Sequence, residues 1–272
     1  MTQRWKRSLL TALRWAAMMT ALAAAALYLL ASWQPASYRP PQLTQSQQEA
    51  WAKHFVRASQ EFSNKGQWTE PYTWVLREED LNHYLASIDE IVFLQAGRKR
   101  GEVDKVLDTA GLTGPVVNLR DDGLTIMLKS NEYGKVLSAD LELRMTDDGH
   151  LRVVLTDTRI GLLPVPRLAV RSRLRQFKAA LKKRLDRLAR APKPELRGSR
   201  RGIIMLKLIQ VEELMASLIL AIDEEPLPVH YIRIFGDRRV RLRDIIIEPG
   251  QLTLDLVPVL RGKDKDEEKD DD

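Results

Sequence analysis

The chain has 272 residues, 44% of them hydrophobic, a formal net charge of +6 and no cysteine. That content supports a sizeable core and argues against wholesale disorder, while the missing cysteine excludes disulfides, thiolate nucleophiles and Cys-ligated zinc. The charge is divided unevenly, so the basic balance alone does not indicate a nucleic-acid partner: Arg4, Lys6, Arg7 and Arg14 stand without an acid before residue 35, residues 167 to 201 hold fourteen Lys/Arg against Asp186 and Glu195, and the rest of the domain is acidic.

Residues 15–33 (WAAMMTALAAAALYLLASW) carry no charge. About 20 residues at 1.5 Å each cross a hydrocarbon core of about 30 Å, and Trp15 and Trp33 stand at the ends, where indoles favour the interface. The cations precede the span, which predicts residues 1–14 on the cytoplasmic side and the remainder outside, in the cell inner (plasma) membrane. A cleaved signal peptide competes with this reading, but the apolar run exceeds the usual h-region and no clear A-x-A site follows it.

Pro35, Pro40 and Pro41 predict a stiff linker over 34–43, ahead of an extracytoplasmic domain over 44–260. Thr44 reads as an N-cap. Trp51, Phe55, Ala58 and Phe62 then mark one face of a helix ending near Gly66. Thr73–Leu76 suits a short strand, and Glu78, Glu79 and Asp80 open a second helix carrying Leu81, Tyr84, Leu85 and Ile88. Residues 95 to 111, polar and Gly-containing, are expected to form a loop.

Alternation then predicts an antiparallel meander with one apolar and one wet face. Leu124, Ile126 and Leu128 follow Val116, Val117 and Leu119. Leu137, Ala139, Leu141, Leu143 and Met145 come next, and after the turn signal Asp147-Asp148-Gly149, Leu151, Val153 and Leu155. Pro164 and Pro166 stop the sheet. A long amphipathic helix is expected to about Arg190, its stripe of Val170, Leu174, Phe177, Leu181, Leu185 and Leu188 flanked by Arg171, Arg175, Lys178, Lys182, Lys183 and Arg187. A strand near Ile203–Leu208 and a helix from Val211 follow. Val229–Phe235, Val240–Ile247 and Leu252–Val259 form a second strand group, in which the run Ile245-Ile246-Ile247 suggests a bulge or burial on both faces. Residues 261–272 read as a charged, disordered tail. The predicted fold class is thus α+β: an N-terminal transmembrane helix, then an antiparallel sheet packed on a long amphipathic helix.

No nucleophile elbow, phosphate loop or zinc signature is present. His54, His83, His150 and His230 share no ligand spacing and are expected at the surface. Asp121-Asp122 and Asp147-Asp148, each followed by glycine, suit β-turns better than acid–base work. No enzyme activity, cofactor or metal is expected.

The pattern VLREEDLNHYLAS, with Leu81-Asn82 on a helix, then a meander, then RIGLLPVPRL with Gly161, Pro164 and Pro166 before a long helix, resembles the YpmS-like family of membrane-anchored extracytoplasmic proteins. More loosely it is similar to tubular lipid-binding (TULIP-like) domains. The resemblance spans roughly residues 70 to 260. It implies a long helix wrapped by a curved sheet around an apolar groove for acyl chains. Leu137, Leu141, Leu143, Leu151, Val153 and Leu155 on the sheet, with Leu174, Phe177 and Leu181 on the helix, are then the candidate lipid-binding residues. The same residues also suit a closed core. The basic flank of Arg171, Arg175, Lys178, Lys182, Lys183 and Arg187 suits a solvated face or an anionic membrane surface, where each cation is worth about 1 kcal/mol. The leading expectation is a membrane-anchored, non-catalytic domain that binds or carries lipid. The alternative is an envelope scaffold with a filled core and a protein partner met by the basic helix. Neither involves nucleic acid.

Overall fold

A computed structural model describes residues 2–96, 100–109, 111–121 and 123–166, eight helical positions between 169 and 183, and then residues 225–227, 231–233 and 239–259. Helix α1 runs over Thr2–Ser32, and its segment Leu13–Ser32 is long and apolar enough to cross a membrane. Helix α2 (Gln45–Lys65) opens on a reciprocal capping box: Thr44 Oγ1 accepts from the Gln47 amide, and the Gln47 side chain accepts from the Thr44 amide at 2.8 Å. Its apolar face is spent on ring contacts. Trp51 stacks on His83 at 4.2 Å, Phe55 meets Tyr84 edge-on at 4.9 Å, and Phe62 meets Trp74 at 5.3 Å.

Strand β1 (Tyr72–Arg77) leads directly into α3 (Glu78–Ala86) and α4 (Ile88–Ala96). The stretch expected as a loop over 95–111 instead contains α5 (Glu102–Thr109). Its two turns place only Val103, Val106 and Leu107 at helical spacing, too few apolar positions to stand out against Asp104, Lys105 and Asp108. Arg100 fixes the approach to it, reaching Glu90 on α4 at 2.8 Å and Glu49 on α2 at 3.0 Å.

The meander forms as expected. Strands β2 (Leu112–Arg120), β3 (Gly123–Ser130), β4 (Val136–Met145), β5 (Leu151–Ile160) and β6 (Leu163–Pro164) make one antiparallel sheet in that order. The turn signal before β5 is used as such: Gly149 takes φ +73° and its amide donates to Thr146 O. A second sheet has the order β1-β9-β8-β7, from β7 (Tyr231–Arg233), β8 (Arg239–Glu248) and β9 (Gln251–Val259). The irregularity expected at Ile245–Ile247 lies earlier. The register shifts between Leu242 and Asp244, which makes Arg243 the extra residue, and Arg243 then pairs with Asp255 at 2.5 Å. Alternation resumes beyond it, so Ile247 is buried and Ile246 half-exposed rather than both faces being covered.

Helix α3 joins the two sheets. Strand β2 is an edge strand, and its outward-pointing backbone groups are met by side chains. Asn82 Nδ2 donates to Val117 O and Asn82 Oδ1 accepts from the Val117 amide, both at 2.8 Å. Glu78 Oε2 accepts from the Leu119 amide at 2.6 Å, and the Gly250 amide, in the β8–β9 turn, donates to Leu119 O at 3.3 Å. The same turn accepts from the Glu78 amide at 2.9 Å. Glu78 therefore does more than complement the helix dipole, and the buried Asn82 does the work of a neighbouring strand.

Two apolar clusters result. Tyr72, Val240 and Leu256 are buried in the second sheet, with Phe62, Trp74, Leu242 and Leu254 packed on them. Tyr38, Val116, Met127 and Val136 form the other. The proline-rich stretch packs on the first sheet through Tyr38. At its start, α1 ends against the β5–β6 turn. The Leu162 amide donates to Leu30 O at 2.9 Å, adding to the bond that this helix carbonyl accepts from the Trp33 amide at 3.3 Å. Gly161 has φ +60°, and a Cβ there would lie 2.6 Å from the carbonyl oxygens of Ala31 and Trp33. From the β3–β4 connection, Lys135 Nζ reaches Ser32 Oγ and lies 4.5 Å from the Tyr28 ring centroid.

Candidate functional site

The candidate lipid-binding residues on the sheet share one face. Cross-strand pairs set them in rows. Leu124, Leu141 and Leu155 make one, Leu143 and Val153 the next, Met145 and Leu151 the last, and Leu128, Leu137 and Ile160 lie at the end nearest α1. A bulge keeps that face apolar. Asp140 pairs with Asp157 but Leu141 pairs with Leu155, leaving Thr156 as an extra residue whose hydroxyl donates to Asp140 O at 3.1 Å. The extra residue shifts the phase of β5. Leu151, Val153 and Leu155 before it and Ile160 after it then face one way, while Asp157 and Arg159 face the other.

The two faces are covered in an unexpected sense. On the nominally wet face Val116, Thr125, Met127, Val136 and Asp140 are buried, with Tyr38 packed on part of it. Asp140 accepts from Thr125 Oγ1 at 2.8 Å and is flanked by Arg120 and Arg159, each at 3.1 Å. Strand β4 thus hides a carboxylate satisfied by two half-exposed guanidinium groups. On the apolar face, Leu124, Ile126, Leu128, Leu137, Leu141, Leu143, Leu151, Val153 and Leu155 are all only partly buried. Leu119 differs, at 2% exposure, where the β8–β9 turn meets β2.

Leu174, Phe177 and Leu181, and the cations Arg171 and Arg187, lie outside the described residues. Arg175, Lys178, Lys182 and Lys183 are on helical backbone; Lys178 is half-buried and the other three exposed. How that helix packs, the elements expected over 203–222 and the tail also lie outside the described residues. Leu124, Ile126, Leu128 and Ile160 extend the face beyond the residues singled out from the sequence. The first three carry the same alternation, whereas Ile160 is out of phase until the bulge is known.

The histidines expected at separate surface positions are in part brought together. Trp51 stacks on His83 and meets His54 edge-on at 5.3 Å, and His54 Nδ1 lies 3.1 Å from the Tyr84 hydroxyl. His83 Nδ1 is buried without a hydrogen-bond partner. The contact joins α2 to α3 and reflects helix packing. A cleft of about 340 Å³ lies between Pro40, Pro41, Leu85, Leu107 and Leu112. Asp104 on its wall has its carboxyl raised above the usual range by burial and by Asp89 and Asp108 nearby. Among the described residues, no group of three or more His, Asp or Glu side chains is arranged to hold a metal ion.

No family model matches the chain, and neither a curated protein nor a solved structure is significantly similar to it.

Proposed function

We propose that this is a membrane-anchored, extracytoplasmic and non-catalytic domain that binds or carries a lipid or similar amphiphile on the apolar face of its five-stranded sheet. One observation carries the reading: the alternating leucines and valines of β3, β4 and β5 are only partly covered, although buried side chains lie on the opposite face of the same strands. A continuous apolar face left incompletely covered is a candidate binding surface. An acyl chain covering it would gain roughly 25 cal/mol for each Å² removed from water. The YpmS-like and TULIP-like resemblance points the same way.

The anchor is read as retained. Its last turn accepts from the Leu162 amide and rests on Gly161, contacts that cleavage there would remove. Charge order gives the direction, with the cations of the first 14 residues on the cytoplasmic side.

The test is photo-crosslinking in the membrane. The full chain is reconstituted with phospholipid bearing a photoactivatable acyl chain, irradiated and digested. Adducts on peptides from β3, β4 and β5 are the expected result. Adducts confined to α1 would mean that lipid meets only the span, and would sink the carrier reading.

A further inference from the structure

We infer that the end of the domain carrying Trp33, Tyr133, Lys135 and Leu162 is seated in the headgroup layer of the bilayer, so that the apolar sheet face opens at the leaflet. The inference rests on the anchor reading above, and goes beyond it by assigning a membrane-contact surface to the folded domain itself.

The geometry begins at the junction. A flexible stalk would let the domain tumble above the membrane. Here the helix end is built into the sheet: Leu162 caps Leu30, Gly161 leaves no room for a side chain against the carbonyls of Ala31 and Trp33, and Lys135 bonds Ser32. Whatever depth the last turn of α1 adopts, Gly161 and Leu162 share it. Trp33 belongs at the interface, where its apolar ring and N–H are both accommodated.

The side chains at this end suit that depth. Trp33 is 65% exposed, Tyr133 67% and Leu162 43%, large groups that keep much of their surface open. Two are amphipathic aromatics, and one is an apolar residue at the tip of a turn. Lys135 extends back along the helix to Tyr28, one turn deeper than Ser32, with its ammonium at the ring face. Lys135 thus brings a cation to this end of the domain, where anionic headgroups would attract it.

The seat also fixes where the apolar face begins. The Gly161 amide donates to Val136 O at 2.7 Å, so the row Leu128–Leu137–Ile160 adjoins the seat. From there β4 runs for 10 residues, about 30 Å at 3.3 Å per residue. An acyl chain leaving the leaflet would meet leucine first, without crossing water.

The absence of native cysteine makes the test direct. Single-cysteine variants Ala23→Cys, Tyr133→Cys, Leu162→Cys and Asp148→Cys of the full chain carry a nitroxide in vesicles of phosphatidylethanolamine and phosphatidylglycerol. Collision with oxygen and with a water-soluble nickel chelate then reports depth. Position 148, exposed in the β4–β5 turn at the other end of the sheet, is the aqueous reference. The expected result is oxygen-dominated relaxation at 23, and an oxygen-to-nickel ratio at 133 and 162 severalfold above that at 148. Labels at 133 and 162 as open to nickel as 148, with 23 immersed, would overturn the seat and leave the anchor standing. A water-exposed label at 23 as well would overturn both.

Discussion

Tyr72 shows how one buried atom sets a pH limit. Its ring lies in the second cluster with Val240 and Leu256, and its hydroxyl is buried without a hydrogen-bond partner. Burial pushes the phenol from its ordinary 10.0 up to about 12. The unfolded chain releases this proton near pH 10 and the folded chain holds it to about 12. Between those values the folded state binds more protons, so stability falls as pH rises through that window and is unaffected below it. Tyr38 and Tyr84 are raised too, both chiefly by burial and Tyr84 also by Asp80. Tyr72→Phe should flatten part of the alkaline loss. At neutral pH it should leave stability unchanged or raise it by up to about 1 kcal/mol, because no bond is lost and a desolvation cost is removed. Denaturant titrations at neutral pH and at steps between pH 10 and 12 check both statements. A neutral-pH loss would mean that the hydroxyl has a partner after all. None of this was legible in the sequence, where Tyr72 is one residue before a short strand. Its buried neighbours Val240 and Leu256 come from β8 and β9, far away along the chain.

Among elements, the sharpest case is β5. Its sequence LRVVLTDTRI reads as a strand, but plain alternation puts Asp157 and Arg159 on the leucine side. The extra residue Thr156 resolves the conflict by shifting the phase midway. Deleting Thr156 should turn one half of β5 over, driving either Asp157 and Arg159 or Leu151, Val153 and Leu155 to the wrong face. The expected outcome is loss of the five-stranded sheet, seen as a collapsed far-ultraviolet signal and aggregation. A folded deletion variant with native-like melting would show the bulge to be dispensable. The strands themselves were readable, since β2 to β5 each carry period-two patterning or β-rich composition between turn signals. So was the capping box of α2, a local arrangement of Thr44 and Gln47. Two elements were not. Helix α5 has too short a stripe to announce itself, and the role of Asn82 depends on a strand that begins 30 residues later. The candidate face was legible as a list of leucines. That it is incompletely covered, with buried residues opposite, was not, because the covering residue Tyr38 lies in a stretch that reads as a linker.

At the scale of the whole molecule, the second sheet is closed by opposite ends of the domain. Strand β1 precedes the five-stranded meander, and β8 and β9 follow it, yet β1 pairs with β9 from Tyr72↔Leu256 to Arg77↔Gln251. The second sheet therefore needs β1, from before the meander, to be complete. Glu78 and Gly250 then tie this sheet to β2. Such linkage predicts a single cooperative unit, in which the slowest amides of β3 and of β9 open with the same free energy in hydrogen exchange. Two well-separated values would mean that the sheets unfold independently.

The groups seated on the edge of β2 have one more effect. If the chain is anchored as proposed, its copies share two dimensions, where sheets meet side by side more often than in free solution. A bare outer strand in that setting is a template on which the next copy can add itself and so propagate a ribbon. Here Asn82, Glu78 and Gly250 already occupy the backbone groups of Val117 and Leu119 that would begin such a ribbon. Along that border, neighbouring copies can be packed densely and still diffuse as individuals.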